Sequence, residues 1–136
     1  MADISVTAAS VVATGATQTE TGKLGATVTA GQVVYKDPAD GLLKLSDNDN
    51  ASAAIRAAYG IALNGGATGQ PATIARKGPV TFNAALTKGM VYCVSGTPGA
   101  ICPLADVTTG DDTIILGVAT STTVLYLGVV DPNITL

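Results

Sequence analysis

The residues with chemistry to offer are few and widely spaced. Cys93 and Cys102 flank the turn Ser95-Gly-Thr-Pro-Gly99 with eight residues between them. A hairpin centred on Thr97-Pro98 sets the two side by side on neighbouring strands, where Cα atoms about 4.5–5.5 Å apart permit a disulfide. A reducing cytoplasm keeps such a pair as buried thiols instead, and reduced cysteine is the expectation. Their spacing is not that of a Cys-x-x-Cys redox pair, and two sulfurs without histidine cannot complete a tetrahedral zinc site.

Asp47-Asn-Asp-Asn50 alternates oxygen ligands in the manner of a calcium loop. Ala51 then stands where the third ligand belongs, Ser52 replaces the turn glycine, and Ala58 occupies the place of the bidentate acid. Helix capping explains the run better. Asp111-Asp112 follows Gly110 and reads as turn chemistry, since a catalytic carboxylate pair needs a buried setting. Asn64-Gly-Gly-Ala-Thr-Gly-Gln70 is rich in glycine but lacks a Gly-Lys-Ser/Thr ending. It also leads into a strand rather than a helix N-terminus, so it reads as a surface loop and not a phosphate cradle. No catalytic residue, metal ligand or cofactor is predicted.

Composition points the same way. The chain has 136 residues, 7 basic against 10 acidic for a net charge of −3, and no histidine or tryptophan. Without histidine the commonest general base and the triads built on it are missing. Arg76-Lys77 is the only adjacent basic pair, so no tract suits nucleic acid. No run of 18 apolar residues predicts a membrane span, and Met1–Val6 carries no basic residue that would open a secretory signal. These features predict a soluble protein made in a cytoplasm, with no small-molecule substrate. Only 12% of residues are charged while 47% are hydrophobic. A surface so poor in charge suits a protein covered by partners.

Positioning falls to short strands. Residues 1–28 are built from Ala, Thr, Ser, Val and Gly with small apolar clusters, too weak for a core of their own. They fit either an extended arm that orders on binding, with Ile4, Val6, Val11 and Val12 as its gripping residues, or an ordinary edge strand. Residues 29–136 alternate turn signals and apolar runs, predicting an all-β domain, a small barrel or sandwich with one short helix near 50–59. Strands are expected at Gln32–Lys36, Leu42–Leu45, Tyr59–Leu63, Gly89–Val94, Ala100–Leu104, Thr113–Thr120 and Thr123–Val130. Lys77-Gly-Pro79 is expected to turn a hairpin between Ala72–Arg76 and Val80–Phe82. The helix is expected to run about two turns over Ala51–Tyr59. Thr29–Tyr35 echoes Thr87–Tyr92, and Tyr59–Ala62 echoes Leu116–Ala119. Two related β units explain the echo, and so does the frequency of Gly-then-Val strand entries in any β protein. The aromatics Tyr35, Tyr59, Phe82, Tyr92 and Tyr126 read as core residues, with Phe82, Tyr92 and Tyr126 the candidates for a subunit interface.

Several runs in order carry a resemblance: Ala30–Asp37, the Ala-rich segment into Tyr59–Ala62, Gly69–Gly78, Leu86–Tyr92, Gly96–Ile101 and Leu116–Thr120. Over about residues 29–130 the chain resembles the head decoration, or capsid cement, proteins of tailed bacteriophages. The resemblance implies a small β domain, a homotrimer that binds the major capsid protein on the outer surface of the assembled head and stiffens the shell. It implies a virion location after synthesis in the host cytoplasm, and no enzyme activity. Another phage structural piece, such as a head spike or tail component, is the neighbouring reading. A carbohydrate-binding or adhesin-like β module is the reading from a different class, disfavoured by the scarcity of aromatic rings.

Overall fold

The structure, a computed structural model, describes residues 3–131, so the first two residues of the N-terminal segment and the last five of the β domain lie outside the described residues. It is mainly β, an antiparallel sheet curled into a half-barrel. The strands are β1 (Val12–Ala13), β2 (Gln18–Lys23), β3 (Val33–Lys36), β4 (Leu43–Leu45), β5 (Gly60–Ala62), β6 (Pro71–Thr81), β7 (Val91–Val94), β8 (Ile101–Pro103), β9 (Ile115–Ala119) and β10 (Val124–Val130). The single helix, α1, is Ala53–Arg56.

The sheet runs β4-β3-β5-β6-β10-β9-β7-β8, with β1 and β2 also on β6. Each of the expected strand positions above carries a strand, and the last pair, β9 with β10, is antiparallel. The expected hairpin at Lys77-Gly-Pro79 is absent: β6 passes straight through it as one strand of eleven residues. Both flanks have partners that hold the strand extended. Ala75 sits between Thr19 of β2 and Ile61 of β5, while Lys77 sits between Gln18 of β2 and Gly128 of β10. Gly78 takes φ +106, a value an L residue rarely takes, and just before it the β2 register shifts between Ala75 and Lys77. The Pro79 carbonyl accepts a bond from the Thr17 hydroxyl at 2.5 Å.

The helix is shorter than expected, one turn instead of two. Its Ser52 N-cap makes no side-chain bond. Ala57 is already extended, because the Tyr59 amide must reach the Val34 carbonyl (2.7 Å) to start β5. Capping by Asp47–Asn50 is likewise corrected. Asn50 Oδ1 accepts from the Ser52 amide, Asp47 Oδ1 from the Asp49 amide, and Asn48 is buried with its Nδ2 donating to the Val94 carbonyl. The run is a turn docked on the end of β7.

The echo is structural. Val33 pairs with Ile61 and Val34 with Gly60, and likewise Val91 pairs with Val118 and Tyr92 with Gly117. The Gly31 amide bonds the Ala62 carbonyl at 2.8 Å, and the Gly89 amide bonds the Ala119 carbonyl at 2.7 Å. Both glycines have positive φ, +92 and +83. The β3–β4 and β7–β8 ladders keep the same register, Val34↔Leu45 and Tyr92↔Pro103. The domain is thus two related four-strand units, β3–β6 and β7–β10, joined along β6 and β10.

The two units pack on each other to make the main core, which unites Val33, Ile61 and Ala75 with Tyr92, Ile101, Leu116, Ala119, Leu125 and Leu127. A second core lies on the other face of the first unit, where Leu24 and Val28 cover Val34, Leu43, Ala62 and Ile74.

Candidate functional site

The N-terminal segment is extended as expected, but it is laid onto the domain rather than free. The Ile4 amide bonds the Ile101 carbonyl at 2.9 Å, and the Ser95 hydroxyl donates to Asp3 at 2.5 Å. Asn83 clamps the strap from the side, its Oδ1 accepting from the Thr7 amide (2.8 Å) and its Nδ2 donating to the Ser5 carbonyl (2.7 Å). Ile4 and Val6 pack against the main core, and Val11 belongs to it. Val6 lies so close to Gly31 that a Cβ there would meet its Cγ1 at 2.5 Å. Of the four expected gripping residues, only Val12 faces solvent. The reason is apolar burial: with a half-barrel of the same chain beside it, the weakly apolar segment has a groove to fill without any partner. Further along, Gln18–Lys23 is a true edge strand on β6.

This placement occupies both ends of the long sheet. Ile4 bonds Ile101 of β8, and at the far end the Gly25 amide bonds the Leu43 carbonyl of β4 at 2.8 Å. A strand added at either of these two ends would have to displace one of these segments, which leaves β2 as the unpaired edge.

Phe82 and Tyr92 are 2% and 1% exposed, built into the main core, so neither offers surface to a partner. Buried Tyr92 satisfies its hydroxyl by accepting the Thr87 amide at 2.8 Å. Tyr126, at 50%, stands open on the outer face of the second unit. Sequence reasoning missed its neighbours there, Val118 and Val130, because alternation alone does not say which face of a strand is covered.

Cys93 and Cys102 are directly paired across β7 and β8, as the turn predicted, and both are free thiols. With Val107 they fill a small third core. Desolvation by burial pushes the Cys93 thiol up to about 11 and the Cys102 thiol to about 12. A thiol held protonated this way is an inert packing group, not a nucleophile.

The remaining candidates serve local structure. Asp111 closes a turn, its Oδ2 accepting from the Thr108 amide and hydroxyl, and Asp112 takes the Arg56 Nε at 2.6 Å. The loop Asn64–Gln70 is tied back by Asn64 Oδ1 to the Thr73 amide and by Gln70 Oε1 to the Ala67 amide. Asp3, Asp49, Asp106 and Asp111 line one open cavity, yet among the described residues no three His, Cys, Asp or Glu side chains converge on a point that could hold a metal ion. Among those residues too, no helix is long and apolar enough to cross a membrane. What the arrangement offers is surface: a pinned strap, covered ends of the eight-strand path and one open apolar face. No protein-family model matches the chain, and no curated protein does.

Proposed function

We propose that this protein is a structural virion component, a decoration protein that binds the outside of an assembled tailed-phage head as a homotrimer and stiffens the shell. The resemblance over residues 29–130 suggests the reading, and the mainly β fold agrees with it. The observation that carries it is the N-terminal strap. Asp3–Thr7 lies outside every strand of the sheet and is held by side-chain clamps, one main-chain bond to β8 and the packing of half-buried Ile4 and Val6 on the core, contacts that a shell can replace without breaking the sheet. Binding of this kind needs no chemistry. Three weak grips on one trimer raise avidity by about 10²–10⁴ through effective concentration alone.

The strap also limits how much can be removed in a test. Val11 is a core residue and Gln18–Lys23 pairs along β6, so a deletion through residue 20 would damage the fold. Deleting residues 1–7 isolates the strap. The expected outcome is that the shortened chain keeps the circular dichroism and solution mass of the full chain, yet no longer co-sediments with expanded, undecorated heads. Full-length protein that fails to co-sediment with such heads would overturn the reading.

A further inference from the structure

One face of the sheet is uncovered. On the outside of β7, β9, β10 and β6 a rung of paired residues runs Val91, Val118, Tyr126, Pro79. A second rung, Val124, Thr81 and Val12, lies beside it, and Val130 pairs with Ile115 on the other side. Val12 is 54% exposed, Val118 42%, Tyr126 50% and Val130 52%, four of the five large hydrophobics that stand exposed among the described residues. Scattered singly they would need no explanation, but cross-strand pairing makes them one patch.

Two observations say what covers it. None of these rung residues is charged, although the chain carries 17 charged side chains. The patch therefore gives an oppositely charged partner nothing to hold, while two identical copies bring no like charges together. The molecule also already contains the same face in a covered state. Val33, Ile61 and Ala75 are the register counterparts of Val91, Val118 and Tyr126, and they are sealed by side chains of this same sequence, Tyr92, Ile101 and Leu125 among them. The β8 and β4 ends of the sheet are occupied. The edge that remains free, β2, presents only Gln18-Thr-Glu-Thr-Gly-Lys23, polar, small and charged residues that do not favour strand addition, so the outer face is the apolar route to self-association.

We propose that copies of this chain associate through the outer face of β6, β10, β9 and β7, with Tyr126 and Val118 at its centre. This rests on the self-association in the proposed function and names the surface that performs it. The test is the solution mass of the full chain by light scattering over a concentration series, for wild type, Tyr126→Glu, Val118→Glu and the control Thr68→Glu in the exposed loop. Wild type and control are expected to be oligomeric. The two face variants are expected to fall toward the 13.4 kDa monomer, needing at least about tenfold more protein to assemble, the effect of about 1.4 kcal/mol.

Face variants that keep the wild-type mass would overturn the assignment and leave the head-binding reading standing. A wild type monomeric throughout would overturn self-association, and the co-sedimentation assay then judges head binding separately. If the glutamates prevent folding, Tyr126→Trp decides, because the sequence has no other tryptophan. Its fluorescence should be quenched less by acrylamide in concentrated than in dilute protein, and equal quenching would overturn the assignment.

Discussion

The two units share a register and differ in everything that surrounds it. In β3–β6 the face carrying Val33, Ile61 and Ala75 packs into the main core, and the opposite face is closed by Leu24 and Val28. In β7–β10 the assignment of faces is reversed. The counterparts of Val34 and Ile74, namely Tyr92 and Leu125, turn into the main core, while Val91, Val118 and Tyr126 turn outward. The reversal arises in β6, where the register against β2 skips Arg76 between Ala75 and Lys77, so that Ala75 and Val80, five residues apart, both point into one core. A regular strand would put residues an odd number apart on opposite faces. Pairing is thus encoded inside each unit, and burial by what the rest of the chain lays over it.

The shared register is open to the hardest blow. Gly60 and Gly117 are equivalent, and at each a Cβ would meet a backbone carbonyl oxygen of the next strand, Ala75 O at 2.2 Å and Tyr126 O at 2.0 Å. Backbone cannot step aside as a side-chain tip can. Gly60→Ala and Gly117→Ala should each cost about 4 kcal/mol or more, seen as loss of the cooperative thermal transition or failure to fold. Gly128→Ala, with nothing within 4 Å of the added carbon, should stay within about 0.5 kcal/mol of wild type. Equal tolerance at all three sites would mean the units do not depend on close strand approach.

The difference in covering is tested next. Leu24 is wholly buried over the first unit, so Leu24→Ala should destabilise by about 2–5 kcal/mol in denaturant melts. Val107 does the corresponding job over the cysteines of the second unit with one fewer carbon to lose, and Val107→Ala should cost about 1.5 kcal/mol at ~0.8 kcal/mol per buried carbon. If the Val107 change cost as much as the Leu24 change, the second unit's outer face would be as firmly closed as the first's.

How far these features were legible in the sequence follows the same division. Strand positions were readable from turn residues, and the cysteine pairing from the symmetry of Ser95–Gly99, because both are local. The repeated Gly-x-Val entries announced the paired units, since Gly31 and Gly89 meet the same backbone requirement. Lys77-Gly-Pro79 misled because its turn chemistry is real, but partners on both sides of β6 outweigh it. Asp47–Asn50 misled in the same way: its oxygens bind nearby amides in a turn that docks far along the chain. The fates of Phe82 and Tyr126, and of Val11 and Val12, were not readable at all. Each pair has similar chemistry, and only the packing of distant segments buries one and exposes the other.

The smallest effect separates the third core from the other two by pH. Burial raises both thiols above their ordinary value near 9, to about 11 for Cys93 and about 12 for Cys102. The folded chain therefore keeps protons that the unfolded chain has begun to release above pH 9. The stability this represents is whole below that pH, and it declines as pH rises from about 9 through about 11 and 12. Replacing both residues by alanine removes the titrating groups and leaves the other alkaline ionisations in place. The wild-type melting temperature should thus fall more steeply than that of Cys93→Ala/Cys102→Ala between about pH 8 and about pH 10.5. Parallel curves would mean that the thiols gain solvent in the folded state, and that the cover supplied by Val107 opens readily where the cover supplied by Leu24 does not.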